Sequence, residues 1–174
     1  HSSGGGLVIR FAGGAYGHKL DHAVLLAPFL KYNAPTMREN SGGWTVPLNR
    51  RLIGLSMLNM ARITALNHLT AIQFNMPAQV LDGPHGHMAT LAYSFRLNTS
   101  YAPRNDYLGD IAKLPAFTLI AGRGDEAFKS ELYEPTMAPA NARGRYVLLD
   151  GVGHLDVVNA PATEAAIREV LRDL

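Results

Sequence analysis

Short apolar runs that stop at proline or glycine alternate along this chain with stretches of helical periodicity, and that alternation predicts a βα architecture. Residues 3–15 read as a helix, with Leu7, Ile9 or Arg10, and Phe11 able to share its faces and Gly13, Gly14 and Gly17 closing it. Residues 23–27 are a continuous apolar run ended by Pro28, the pattern of a strand buried on both faces of a parallel sheet. Such a strand needs helices on both sides. The texture then changes: from Lys31 to about Leu108 the chain is irregular and rich in Pro, Asn and Gly, with helical patches at 51–60 and 88–97. The rhythm returns with a helix over 106–114 stopped by Pro115, a buried strand over 117–121, the turn Gly122-Arg123-Gly124, a helix near 127–134 and a third strand over 146–149. The loop from Asp150 to His154 leads to a terminal helix over 161–174, with Pro161 at its start and an apolar face of Ala165, Ile167 or Ala166, Val170, Leu171 and Leu174. The chain thus divides into a core piece over 1–30, an insertion over 31–108 and a second core piece over 109–174.

Composition narrows the partners more than the fold. With 174 residues, 47% of them hydrophobic, the chain is able to build a core. The formal charge is +2 and the basic residues are scattered, so nothing points to nucleic acid or to an anionic membrane surface. Zero cysteines exclude disulfides, thiolate chemistry and Cys-ligated metals within the chain. No run approaches the roughly eighteen apolar residues of a membrane span.

The candidate chemistry begins at the first residues, His1-Ser2-Ser3-Gly4-Gly5-Gly6. With a Gly before residue 1 they complete G-x-S-x-G, the nucleophile elbow, in which a serine sits on a strained strand-to-helix turn that tolerates only small neighbours. Ser2 is then the nucleophile, and Gly4 the small neighbour. The string also reads as an affinity-tag remnant or a flexible linker, but a linker would not run into the apolar segment 7–12. Acyl transfer to water needs a nucleophile, a base and an acid that orients the base. Asp125 and His154 follow on the loops after the second and third predicted strands, at the carboxyl ends where open α/β sheets build their sites. Glu126 or Asp150 could replace Asp125 as the orienting acid. Gly151 and Gly153 allow the His154 loop to swing its ring over the serine, whereas His1 packs at the elbow on the wrong side of the turn to act as a base. Three further strings carry less. Arg123-Gly124-Asp125 spells an integrin-binding tripeptide, but an acid engaged by a histidine is closed to a receptor. His85-Gly86-His87, with Asp82 as the only close carboxylate, is a poor chelate. Asn98-Thr99-Ser100 matches a glycosylation sequon without secretory context.

On the residues His1 to Gly5, the strand and turn 119–126 and Gly151-Val152-Gly153-His154, the chain resembles the C-terminal half of an α/β-hydrolase superfamily serine hydrolase, in the branch of lysophospholipase-like and monoacylglycerol-lipase-like esterases. The resemblance implies an α/β fold of which this chain supplies the last three parallel strands, with 31–108 as the family's variable cap. It implies cleavage of carboxylic esters through an acyl-enzyme by Ser2, Asp125 and His154, with no cofactor. Ser3, as the residue after the nucleophile, offers its backbone N–H to the oxyanion hole. The implied partners are a small-molecule ester with an apolar acyl group and the N-terminal half of the same fold, as a separate chain or a further segment, because about five strands should precede the elbow. The strand at 23–27 would then expose an apolar edge unless the preceding strand paired with it. Apolar cap residues, among them Trp44, Met57, Met60, Phe74, Met88, Tyr93 and Phe95, are expected to supply packing and part of an acyl pocket. An amide or peptide hydrolase on the same triad, and a non-catalytic binding protein that kept the fold, are the alternatives.

Overall fold

The computed structural model describes residues 1–173, so Leu174, the end of the expected terminal helix face, lies outside the described residues. In chain order the elements are α1 (Ser2–Ala12), β1 (His22–Leu26), β2 (Thr45–Pro47), α2 (Asn49–Met60), β3 (Thr70–Phe74), α3 (Ala78–Leu81), β4 (Ala92–Ser94), α4 (Phe95–Tyr101), α5 (Tyr107–Ala112), β5 (Ala116–Gly122), α6 (Tyr133–Met137), β6 (Gly144–Leu149) and α7 (Pro161–Asp173). They fall into two compact units, one made of His1–Arg38 with Tyr101–Leu174 and the other of Glu39–Ser100.

The first unit is built on a parallel sheet of order β1-β5-β6. Leu26 stands opposite Ile120, and Gly122 opposite Leu149. The run Phe117-Thr118-Leu119-Ile120-Ala121 is the middle strand, and none of these residues exceeds 2% exposure, as a strand covered on both faces requires. The expectation that 23–27 is equally buried is corrected. Ala23 and Leu25 are buried, but Val24 between them is 38% exposed, because β1 is an edge strand among the described residues and one of its faces is incompletely covered. On α1 the buried positions are Gly5, Gly6, Ile9 and Ala12, a stripe at helical spacing. The helix stops three residues before the expected end, and Gly13 keeps a right-handed backbone rather than a left-handed cap. At α5 the Asp106 carboxylate caps the start by accepting from the Gly109 N–H at 3.0 Å.

The helix expected at 127–134 begins later. Asp125 accepts from the N–H groups of Ala127 and Phe128, and Phe128 bridges to Met37, so these residues are held in a loop. Helical structure starts only with a 3-10 turn at Ser130–Leu132 that feeds α6.

The second unit holds an antiparallel sheet of order β2-β3-β4 and a small core of Leu55, Ala71 and Phe95, flanked by Leu52, Leu58 and Leu69. The helix expected over 88–97 is corrected: β4 occupies its middle and pairs with β3, with Tyr93 opposite Ile72 and edge-on to Phe74 at 4.7 Å. Cross-strand pairing overrides a weak helical pattern there. This unit is narrower than the 31–108 stretch, and residues 31–38 and 101–108 belong to the first unit. Lys31 ties those two segments, its Nζ donating to the carbonyls of Pro103 and Arg104 and to Asn105 Oδ1 at 3.0–3.1 Å. No helix among the described residues is long and apolar enough to cross a membrane.

Candidate active site

Ser2 opens α1 with φ of 49°, a left-handed conformation that costs a non-glycine residue roughly 1–3 kcal/mol and persists only where its surroundings impose it. The surroundings do. The Phe29 N–H donates to the Ser2 carbonyl at 2.9 Å, and Pro28 and Phe29, just beyond β1, press on the first turn of the helix. The sequence reading assigns the small-neighbour role to Gly4. The structure moves it: a Cβ on Gly4 would meet nothing within 4 Å, whereas one on Gly5 would lie 2.7 Å from Pro28 Cβ and one on Gly6 2.5 Å from the Phe29 carbonyl oxygen. Gly5 and Gly6 allow the helix start to reach the end of β1.

Asp125 stands three residues beyond the end of β5 and is 2% exposed. Its Oδ1 accepts from the N–H groups of Ala127 and Phe128, each at 2.8 Å, and its Oδ2 lies 2.9 Å from His154 Nδ1. Arg38 grips the same loop from outside, Nε donating to the carbonyls of Asp125 at 3.1 Å and Phe128 at 3.2 Å. The alternative acids take other partners. Asp150 is largely exposed and pairs with Arg123 at 3.0 Å, and Glu126 accepts the main-chain N–H of His154 at 2.8 Å. Arg123-Gly124-Asp125 is not a presented tripeptide, since its acid is buried.

His154 is 4% exposed, and its Nε2 lies 3.1 Å from Ser2 Oγ. An ionised carboxylate only accepts, so Asp125 assigns the ring proton to Nδ1 and leaves the Nε2 lone pair for the serine hydroxyl. The ring lies between Phe128, edge-on at 4.9 Å, and His1 at 4.8 Å. That corrects the expectation for His1. Its ring is beside His154, not across the turn, and its Nε2 donates to the His154 carbonyl at 2.9 Å. Ser3 is the second residue of α1, in the first turn, where the helical ladder offers no acceptor to the N–H groups and the helix end carries partial positive charge.

Tyr133 completes the support. Its hydroxyl donates to the Pro28 carbonyl at 2.9 Å, and burial, aided by the negative charge of Asp125, holds its pKa well above the ordinary tyrosine value. Arg38, Phe128, Tyr133 and the main-chain role of Glu126 are absent from the sequence reading. Only Glu126, next to the candidate acid, carries a local signal. Of the apolar residues expected to line an acyl pocket, Phe95 lies in the small core of the second unit, Phe74 packs on Tyr93, and Met57, Met60 and Met88 are exposed.

No protein-family model matches the sequence, and comparison with curated proteins also finds no match. Solved structures do match. The chain is similar to a candidate aryl esterase from Burkholderia cenocepacia, with a TM-score of 0.64 and 15% identity over 98% of this chain and 61% of that one. It is similar to a monoacylglycerol lipase from Paleococcus ferrophilus, with a TM-score of 0.56 and 17% identity over 99% and 65% of the two chains. A thermophilic esterase from Thermogutta terrifontis gives 0.54 and 17% over 99% and 62%. The likeness establishes the fold: the parallel β1-β5-β6 sheet with its helices is part of an α/β-hydrolase fold, and the chain spans 61–65% of the length of these three structures.

Proposed function

We propose that this chain carries the nucleophile, acid and base of a serine hydrolase that cleaves carboxylic esters. The observation that supports the reading is the unbroken line from Ser2 Oγ through the His154 ring to the Asp125 carboxylate, with contacts of 3.1 and 2.9 Å. Ser2 Oγ attacks the ester carbonyl carbon while His154 Nε2 takes its proton, and Asp125 holds the imidazolium that forms. The oxyanion of the tetrahedral intermediate is received by the Ser3 N–H at the positive end of α1. Removing one such donor typically costs about 3 kcal/mol of transition-state stabilisation. The intermediate collapses as His154 returns the proton to the departing alcohol, leaving the acyl group on Ser2. Water then repeats the sequence on the acyl-enzyme and releases the acid. In this reading the outer edge of β1 pairs with a further strand of the same fold, and a loop of that part supplies the second oxyanion donor. Esterases and a lipase among the structural neighbours favour an ester over an amide leaving group.

The full-length protein should release p-nitrophenol from p-nitrophenyl butyrate with a burst, and a fluorophosphonate should label Ser2. Ser2→Ala should lose both. Asp125→Asn should lower kcat by roughly 10⁴ through the wrong imidazole tautomer. Full ester hydrolysis by Ser2→Ala overturns the mechanism, and peptidase activity without esterase activity overturns the substrate class.

A further inference from the structure

The loop after β5 presents two consecutive carboxylates, and both reach one residue. Asp125 Oδ2 meets the ring Nδ1 of His154, and Glu126 Oε2 meets its main-chain N–H at 2.8 Å. The arrangement follows from how the loop is folded. Asp125 Oδ1 binds the N–H groups of Ala127 and Phe128, which closes a tight turn and throws Glu126 outward, toward the histidine loop. The two loops are then joined along their length, since the Arg123 N–H donates to the Leu149 carbonyl at 2.8 Å and the Gly124 N–H to the Val152 carbonyl at 3.0 Å. Glu126 is the last joint of this seam. Gly153 leaves space for two carboxylates, since a Cβ there would stand 3.0 Å from Asp156 Oδ2 and 3.1 and 3.2 Å from the two Glu126 carboxylate oxygens.

We propose that Glu126 is a positioning residue for His154: its carboxylate fixes the histidine's main chain, and thereby the ring's reach to Ser2, while Asp125 fixes the ring's tautomer. The inference rests on the hydrolase reading of the same site. A main-chain N–H held by an ionised acceptor is a charge-assisted bond, shorter and stronger than a neutral one. It acts on the backbone at the residue whose side chain must lie within hydrogen-bond reach of the nucleophile. Because Glu126 is itself exposed, its removal leaves the core intact.

The test uses Glu126→Ala and Glu126→Gln in the full-length protein, with two readouts. In turnover of p-nitrophenyl butyrate, Glu126→Ala should lower kcat by about 10-fold or more, with KM changed less than about twofold, because misplacement of a reacting group raises the barrier without weakening substrate binding. Glu126→Gln keeps an acceptor oxygen and should recover most of the loss. In proton NMR, the low-field resonance of the His154 Nδ1 proton, identified by its disappearance in Asp125→Asn, should broaden or shift in Glu126→Ala and return in Glu126→Gln. A Glu126→Ala protein with wild-type kcat and an unchanged resonance overturns the inference. So does a loss that Glu126→Gln does not recover. Absence of wild-type esterase activity and of fluorophosphonate labelling would instead overturn the hydrolase reading, while the resonance would still report whether Glu126 positions the ring.

Discussion

Ser2 occupies a conformation that glycine adopts freely and serine does not, and it is also the residue whose hydroxyl faces His154. Strain and the proposed nucleophile coincide at one position, and two substitutions separate their effects. Ser2→Ala removes the hydroxyl and keeps the strain, whereas Ser2→Gly removes both, so the glycine variant should be more stable than the alanine variant by about 1 kcal/mol in urea unfolding. Equal stabilities would mean the elbow stores none. Tyr133 offers a second test at this scale. Its phenol pKa is raised by burial and by Asp125, so below the unfolded value near 10 its ionisation does not affect stability. Above that pH the unfolded chain loses the proton while the folded chain keeps it, and stability should fall by about 1.4 kcal/mol per pH unit for this one group. The alkaline limb of a stability profile should therefore be shallower in Tyr133→Phe, although that variant begins lower for want of the bond to Pro28. Identical slopes between pH 10 and 11 would contradict the shift. The meeting of Ser2, Asp125 and His154 was legible in the sequence because Ser2 stands at a helix start, the other two lie on the loops after β5 and β6, and their order is the one the acyl-transfer motif expects. His1, Arg38 and Phe128 were not, because their partners lie 153, 87 and 26 residues away and only the folded loops bring them there.

Elements were readable where a segment's burial matches its local pattern. The mostly apolar run of β5 marks a buried strand, and the proline start and apolar stripe of α7 mark a helix from Pro161 onward. Where a tertiary partner decides, the pattern failed. Residues 88–97 have helical spacing, yet β3 recruits Ala92–Ser94 as a strand, and the Asp125 turn delays the helix after β5. The elbow glycines show the same limit, since motif spacing points to Gly4 and contact geometry to Gly5 and Gly6. Gly4→Ala should be neutral or stabilising by up to about 1 kcal/mol through helix propensity. Gly6→Ala forces a methyl into the Phe29 carbonyl and should cost about 1–3 kcal/mol or more. Thermal melts of the two variants decide it, and a Gly6→Ala protein as stable as Gly4→Ala would refute the close approach.

At the scale of the whole molecule the two units differ in how much each buries. In the first, the fully buried set runs from Ile9 through Leu25, Phe117, Leu119 and Ile120 to Tyr133, Met137 and Val157, and its sheet is parallel, with a middle strand covered on both faces. In the second, the buried core is Leu55, Ala71 and Phe95, behind strands of three and five residues, while Ile53, Met57, Met60 and Met88 remain exposed. Local stability follows buried apolar contact, and short sheets with thin cores open below the global transition. The amides of β3 should therefore exchange with deuterium through a sub-global opening, by several kcal/mol less protected than those of β5, whose N–H groups are shielded by strands on both sides. Native-state exchange at rising denaturant measures this directly: β3 amides should show a smaller slope and lower free energy than Leu119, Ile120 and Ala121. If the two sets merge into one isotherm at all denaturant concentrations, the thin core of Glu39–Ser100 does not open below the global transition and the prediction fails.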